Sequence, residues 1–335
     1  MTLSEFLLEW KNDNPRLLVH TSGSTGPPKP LWVEKRRMEA SARMTCDFLG
    51  LKANDTALLC MPLDFIAGKM MVVRALVRGM QIVAVKPSGR PLQQLVQEAG
   101  YKKIDFAAMV PMQVFQSLQQ PEEQRILREI KHLIIGGGAV DENLERELAD
   151  FPNAVWSTYG MTETLSHVAL RRLNGSRADI WYTPMANVTV ELDGESCLVI
   201  DAPCVCDQKI FTNDVAELHE DGRRFRILGR KDNVICSGGI KIQAEKVEQK
   251  LIGHLAHSFV VTRAKDVRFG EVVVLLTESP DLVDVQRICA EILPKFWQPR
   301  LCFHVLRLPL TGTGKVARAE AERMANDLSR LHSAI

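Results

Sequence analysis

Apolar positions along this chain change their period twice. Over the first ten residues Leu3, Phe6, Leu7 and Trp10 recur at helical spacing, which predicts a short amphipathic helix. Leu17, Leu18 and Val19 form a compact apolar run that reads as a strand. From there to about residue 160, strand-length apolar stretches alternate with helix-period segments. Helices are predicted over 34–49, 67–77, 92–99, 112–118, 123–130 and 141–150, the last with Asp141 as N-cap. Strands are predicted over 56–61, 81–85, 104–109, 132–135 and 154–158. This alternation is the signature of an α/β fold with a layered, largely parallel sheet.

The texture shifts near residue 175. Short β-type runs at 187–192, 196–200, 216–219 and 225–228 are separated by the turn pairs Asp193-Gly194 and Asp221-Gly222. Glycine in such turns permits positive φ, so a small antiparallel β subdomain is expected. From about residue 232 the pattern is mixed, with helices over 244–251 and 283–292 and strands over 259–263, 271–277 and 302–306. The predicted organisation is an α/β core over 1–174, a β-rich subdomain over 175–231 and a C-terminal α+β domain over 232–335.

Composition narrows the function classes. A 335-residue chain fits two or three domains. Its net charge of +1 provides no strong field for nucleic acid or an anionic membrane, so neither is expected as a partner. No apolar run reaches membrane-spanning length. The opening MTLSEFLLEWKND lacks a basic n-region and a cleavage site, so it does not read as a signal peptide. The eight cysteines are scattered, and the closest pair, Cys204 and Cys206, has neither the redox nor the usual zinc spacing. They read as reduced thiols of a cytoplasmic protein, with no metal site among them.

The chemistry concentrates in a few loops. Residues 20–29, HTSGSTGPPK, follow the first strand. Thr21, Ser22, Gly23, Ser24, Thr25 and Gly26 offer bare backbone amides and hydroxyls, and Lys29 adds a point charge suited to phosphate. A Ser/Gly turn without a ligand has the same composition. The spacing is not that of a Walker loop. TSGSTGPPK resembles the phosphate-binding loop of adenylate-forming enzymes, which include acyl-CoA synthetases, luciferases and peptide-synthetase adenylation domains.

Other segments resemble that family in the same order. YGMTE resembles its second nucleotide motif, which implies Tyr159 under the adenine, Gly160 beside it, Thr162 toward the α-phosphate and Glu163 toward magnesium. Gly136, Gly137 and Gly138 resemble a loop lining the adenine and acyl pocket, although a tight turn alone accounts for such a run. Asp214 and Arg230 match ribose-binding positions, where a carboxylate accepts from two hydroxyls. Either is otherwise an ordinary surface charge. Asp232 matches the hinge of the C-terminal domain. Gly238 and Gly239, in Ser237-Gly238-Gly239, match a loop of the pantetheine channel. Lys315, in PLTGTGKV, matches the family's catalytic lysine; Val316 and Pro309 argue against a P-loop there. The resemblance implies an AMP-forming acid–CoA ligase that uses ATP, Mg2+ and coenzyme A. Its partners would be small molecules, a carboxylic acid among them.

The acid is a separate question. Phe65 stands where the family often carries a gating His. Arg74 lies in an otherwise apolar helical segment; it either snorkels to the surface or meets a second carboxylate of the substrate. GKMMVVRAL, VPMQVFQSL and TYGMTETLSHVALR resemble the o-succinylbenzoate–CoA ligases of menaquinone biosynthesis, whose substrate has two carboxylates. A ligase for another aryl or fatty acid, or a non-catalytic nucleotide-binding homologue, are the alternatives. Family members usually carry well over a hundred residues before the phosphate loop, where this sequence has about twenty. The segment 67–77 is apolar nearly all round, and such a helix needs cover on more than one side. A homodimer with Phe6 or Trp10 near its contact is therefore expected.

Overall fold

The computed structural model describes residues 1–20, 30–97, 103–311 and 316–333. The chain opens with α1 (Leu3–Lys11), started by a capping box. The Glu5 amide donates to Thr2 Oγ1, and the Thr2 amide donates to the Glu5 carboxylate. β1 (Arg16–His20) and β2 (Pro30–Glu34) pair antiparallel, with His20 opposite Pro30. The expected phosphate loop, residues 21–29, lies outside the described residues. β2 was not expected, because only Val33 in it is buried and its period is weak. α2 (Lys35–Leu49), β3 (Thr56–Leu59), α3 (Ile66–Arg78), β4 (Gln81–Ala84) and α4 (Leu92–Gln97) follow.

β5 (Phe106–Met109), α5 (Pro111–Leu118), α6 (Pro121–Glu129), β6 (His132–Ile135), α7 (Glu142–Leu148) and β7 (Ala154–Gly160) continue the alternation. Asp141 caps α7 as expected, its carboxylate accepting from the Asn143 and Leu144 amides. β8 (His167–Arg172) and β9 (Thr183–Pro184) complete a seven-stranded sheet ordered β4-β3-β5-β6-β7-β8-β9. β4 through β7 are parallel, and β8 and β9 run antiparallel. After β4 the chain crosses back over β3 to place β5 on its other side. This makes a switch point, and ligands in open α/β sheets bind beyond the strand carboxyl ends at such points.

Apolar side chains cover both faces of this sheet. Met70, Met71 and Val73 of α3 belong to one buried cluster, and Leu92, Leu95, Val114 and Leu127 to another. The homodimer argument from the apolar circumference of α3 is thereby corrected. Gly68 through Ala75 are all buried within one chain, and only Leu76 among its large apolar residues is exposed. Phe6 is fully buried and has no surface to offer a partner.

β10 (Thr189–Leu192), β11 (Cys197–Asp201), β12 (Ile210–Leu218) and β13 (Phe225–Arg230) form an antiparallel meander. At the first turn the positive φ belongs to Ser196 (61°) and not to Gly194, which corrects the expectation. The Asp193 carboxylate accepts from the Glu195 and Cys197 amides there, so a side chain shapes that turn. At the second turn Gly222 takes φ 65°, as expected.

A third sheet follows, made of β14 (Val234–Ser237), β15 (Ile240–Gln243), β16 (Phe259–Asp266), β17 (Gly270–Thr277) and β18 (Leu301–His304). α8 (Ala244–Leu251), α9 (Leu282–Ile292) and α10 (Arg318–Ser333) pack on it. α10 was not expected. Small residues, Ala321 and Ala325, form its buried stripe, so its apolar signal is faint. No helix among the described residues is long and apolar enough to cross a membrane.

Candidate active site

The end of β7 organises the site. Tyr159 and Gly160 are its last residues, so the strand runs two residues further than the sequence indicates. The Tyr159 ring packs edge-on against Phe225 at 5.1 Å and tilted against Tyr182 at 5.9 Å. Its hydroxyl donates to Asp214 Oδ2 at 2.7 Å. Burial, with the Asp214 charge adding to it, raises the phenol well above its ordinary range, so it stays a donor.

Asp214 is buried in β12, and its position faces Arg230 of β13 directly across the pair. Arg230 Nη1 donates to Asp214 Oδ1 at 3.0 Å, and Nη2 donates to Asp232 Oδ2 at 2.8 Å. Asn213 Nδ2 donates to both oxygens of Asp232 at 3.2 Å. Four of the expected residues, Tyr159, Asp214, Arg230 and Asp232, thus form one hydrogen-bonded chain. Neither Asp214 nor Arg230 is the solitary surface charge that each alone suggested.

Glycine at two of the expected positions answers to close approach. A Cβ on Gly160 would stand 2.3 Å from the Ser166 carbonyl oxygen and 2.4 Å from the His167 Cα, where β8 turns back beside β7. A Cβ on Gly136 would stand 2.2 Å from Thr158 Oγ1. Gly137 and Gly138 continue past the end of β6, alongside Val110 and Pro111 after β5. These loops leave adjacent parallel strands on the same side of the sheet. Gly238 and Gly239 lie between Ser237 and Ile240, which pair across β14 and β15. Their φ values of 57° and 84° are those of a two-residue hairpin turn, so local geometry alone selects glycine at both.

Thr162 is buried, and the Glu163 side chain is exposed. The Glu163 carbonyl accepts from Cys206 Sγ at 3.3 Å. No described cluster of three or more His, Cys, Asp or Glu side chains is placed to hold a metal. One exposed carboxylate does suit magnesium, which is held by one or two carboxylates together with substrate phosphates. Lys315 lies outside the described residues.

Arg74 is the most unusual side chain of the site. It is 2% exposed, which corrects the snorkelling alternative. Nη2 donates to Ser166 Oγ at 2.5 Å, while Nε is buried without a partner. Among the described residues no carboxylate meets it. Desolvation lowers its pKa to about 10, so it stays charged at neutral pH. His167 sits beside it, also buried, with Nε2 3.0 Å from Thr45 Oγ1 and Nδ1 3.3 Å from Ser166 Oγ. Desolvation first, and the Arg74 charge second, hold this imidazole well below its ordinary range, so it is neutral. Sequence reasoning missed Ser166, His167 and Thr45. The only signal was the Ser-His pair four residues beyond Thr162, and nothing in it points to Arg74.

Comparison with known proteins reads the same architecture. The model of the AMP-binding enzyme family matches residues 6–201. This chain belongs to that family. An acyl-CoA synthetase (AMP-forming)/AMP-acid ligase II-like protein from Dyadobacter fermentans is 31% identical. The match covers 95% of this chain and 92% of that one, with a TM-score of 0.64. A 2-succinylbenzoate–CoA ligase of Bacillus mycoides is 24% identical over 355 residues, covering 96% of this chain and 72% of the ligase. The O-succinylbenzoate coenzyme A synthetase of Bacillus subtilis, solved with ATP and a magnesium ion, superposes with a TM-score of 0.74. It is 23% identical, and the match covers 90% of this chain and 69% of that one.

Proposed function

We propose that this chain is an ATP-dependent, AMP-forming acid–CoA ligase whose acid is o-succinylbenzoate, acting in menaquinone biosynthesis in the cytoplasm. The observation that carries the reading is Arg74, a buried guanidinium with an unpartnered Nε. A buried cation without a counter-ion is costly, and a substrate carboxylate would relieve that cost. Arg's planar fork suits a carboxylate in particular. Ser166, which holds Arg74, lies on the same short connection as Thr162 and Glu163, directly after Tyr159 at the end of β7. That connection links an anion site for the acid to a nucleotide site. The named relatives support the same substrate.

In this reading Tyr159, Gly136, Gly137, Gly138 and Gly160 bound the adenine and acyl pocket, and Asp214 with Arg230 takes the ribose. Residues 21–29 hold the phosphates. Glu163 and the phosphates would hold Mg2+, which when bound supplies positive charge to the triphosphate. One substrate carboxylate is held by Arg74. The other attacks the α-phosphorus of ATP, the bond to pyrophosphate breaks, and acyl-AMP forms. Lys315 and Thr162 offset the charge that develops there. The domain after residue 231 then turns about Asp232. The CoA thiol gives up its proton to solvent and its sulfur attacks the acyl carbon. AMP leaves, and the thioester remains. Gly238 and Gly239 line the channel for the pantetheine arm. The participants are small molecules, and a homodimer, if formed, uses a surface other than Phe6.

A pyrophosphate-release assay with a panel of acids tests the reading. The panel holds o-succinylbenzoate, its analogue lacking the aryl carboxylate, a simple benzoate and a fatty acid. Release should be fastest with the diacid, and conversion of the acyl-AMP to thioester should require CoA. Equal or faster turnover of a monoacid would give the substrate to the aryl or fatty acid alternative. Absence of ATP–pyrophosphate exchange with every acid would leave only a nucleotide-binding homologue.

A further inference from the structure

The third sheet carries an ion pair that the reading above does not use. Glu248 lies in α8, and Arg318 is the first residue of α10. Arg318 Nη1 donates to Glu248 Oε1 at 2.8 Å and Nη2 donates to Oε2 at 2.6 Å, a bidentate fork. Both side chains are also tied to one residue of β16. Arg318 Nη1 donates to the Val261 carbonyl at 2.9 Å, and the Val261 amide donates to Glu248 Oε1 at 2.8 Å. The ring closes over three elements and leaves little freedom in where they meet. Both side chains are mostly buried, and burial raises the Glu248 carboxyl while Arg318 opposes that rise. Stability is a weak reason for such a pair, since packed apolar residues often serve as well; its geometric value is registry.

The element it places is the start of α10, and the residues before it are tied back in turn. Val316 bridges Leu310 antiparallel, and the Ala317 amide donates to the Pro309 carbonyl at 2.9 Å. Both ends of the segment that holds Lys315 are therefore clamped together. Arg318, three residues beyond Lys315, pins the clamp to β16. We propose that Arg318 and Glu248 are positioning residues for the adenylation step, setting where Lys315 is delivered; this rests on the reading of Lys315 given above. Neither touches substrate. A shift of about 1 Å in such a group, caused from outside the reacting centre, can cost about 100-fold in rate.

The test uses the full chain and the acid that best supports exchange. Three quantities are read: ATP–pyrophosphate exchange, thioester formation from supplied acyl-AMP, and the thermal midpoint. Arg318→Met should lower exchange by about 100-fold, while thioester formation changes by no more than about threefold. Arg318→Lys, which keeps the charge and loses the fork, should recover part of the exchange. Glu248→Gln is close to isosteric and reads the same contact if the methionine variant fails to fold. Lys315→Ala is run beside them. Exchange lost in Lys315→Ala but kept in Arg318→Met and Glu248→Gln overturns the anchoring alone. So does a parallel fall of both half-reactions with the midpoint, which would make the pair structural only. Exchange surviving Lys315→Ala overturns the reading of Lys315 itself, and the inference falls with it.

Discussion

Arg74 is the residue whose environment says most. It keeps its charge in a fully buried place, where its only described side-chain partner is a serine hydroxyl. Arg74→Met should therefore weaken use of the diacid and leave the KM for ATP nearly unchanged. Removing one partner of a buried charge pair costs about 2–5 kcal/mol, so kcat/KM for o-succinylbenzoate should fall about 30-fold or more. Unchanged steady-state kinetics with the diacid would detach Arg74 from the acid site. His167 gives a second prediction at this scale. Its folded-state pKa is depressed by burial and by Arg74, whereas the unfolded chain titrates near 6.5. Above that pH both states are neutral and its contribution to stability is complete. As pH falls below it, the unfolded chain takes up a proton that the folded chain refuses. Stability then declines by up to about 1.4 kcal/mol per pH unit for each such group. His132 is shifted in the same direction by burial and adds to the slope. Urea unfolding between pH 7 and 5 should show a shallower decline in His167→Gln, which preserves a nitrogen for Thr45. Equal slopes in the two proteins would mean that the imidazole is not held neutral.

Among the elements, the β7–β8 corner and the β14–β15 hairpin place functional candidates through glycine, for different reasons. Gly160 is required by contact with the Ser166 and His167 backbone, so a methyl there must push β8 away from β7. Gly239 faces open space, and its demand is the positive φ alone. Gly239→Ala should cost about 1–2 kcal/mol, from the left-handed backbone only. Gly160→Ala should cost more, and should also weaken the diacid, because the same backbone carries Ser166 and through it Arg74. Thermal unfolding combined with pyrophosphate release separates the two. If the variants are equally stable, backbone contact is not what selects Gly160. The sequence identified both glycines by resemblance to a ligand-binding pattern, but the local fold supplies a sufficient reason for each.

At the scale of the whole molecule, the proposed chemistry needs two arrangements of the part after residue 231 against the rest. Asp232, tied to Arg230 and Asn213, stands at that junction. Lys315→Ala should abolish ATP–pyrophosphate exchange. Thioester formation from supplied acyl-AMP should be affected far less, because in the proposed scheme a turn about Asp232 would carry Lys315 away before CoA attacks. Single-turnover measurement of each half-reaction checks this. Equal loss in both would remove the two-arrangement scheme and leave one fixed site.

The order of elements was legible in the sequence because apolar period is a local property, read within one strand or helix. The parallel core, the meander and most helix boundaries followed from it. Elements that escaped include β2 with its single buried valine, α10 with its alanine stripe, and β8, although its first four residues are buried. Tyr159, Asp214, Arg230 and Arg74 were singled out from short residue patterns along the chain, three of them in strands and Arg74 in a helix. Tertiary structure alone decided what each of them meets. Tyr159 reaches Asp214 across 55 residues of chain, and Arg74 reaches Ser166 across 92. No window along the sequence contains such pairs. The same holds for α3, whose apolar circumference reads alike whether a second chain or its own chain covers it. Only the packed fold, with Gly68 through Ala75 buried inside one molecule, distinguishes the two.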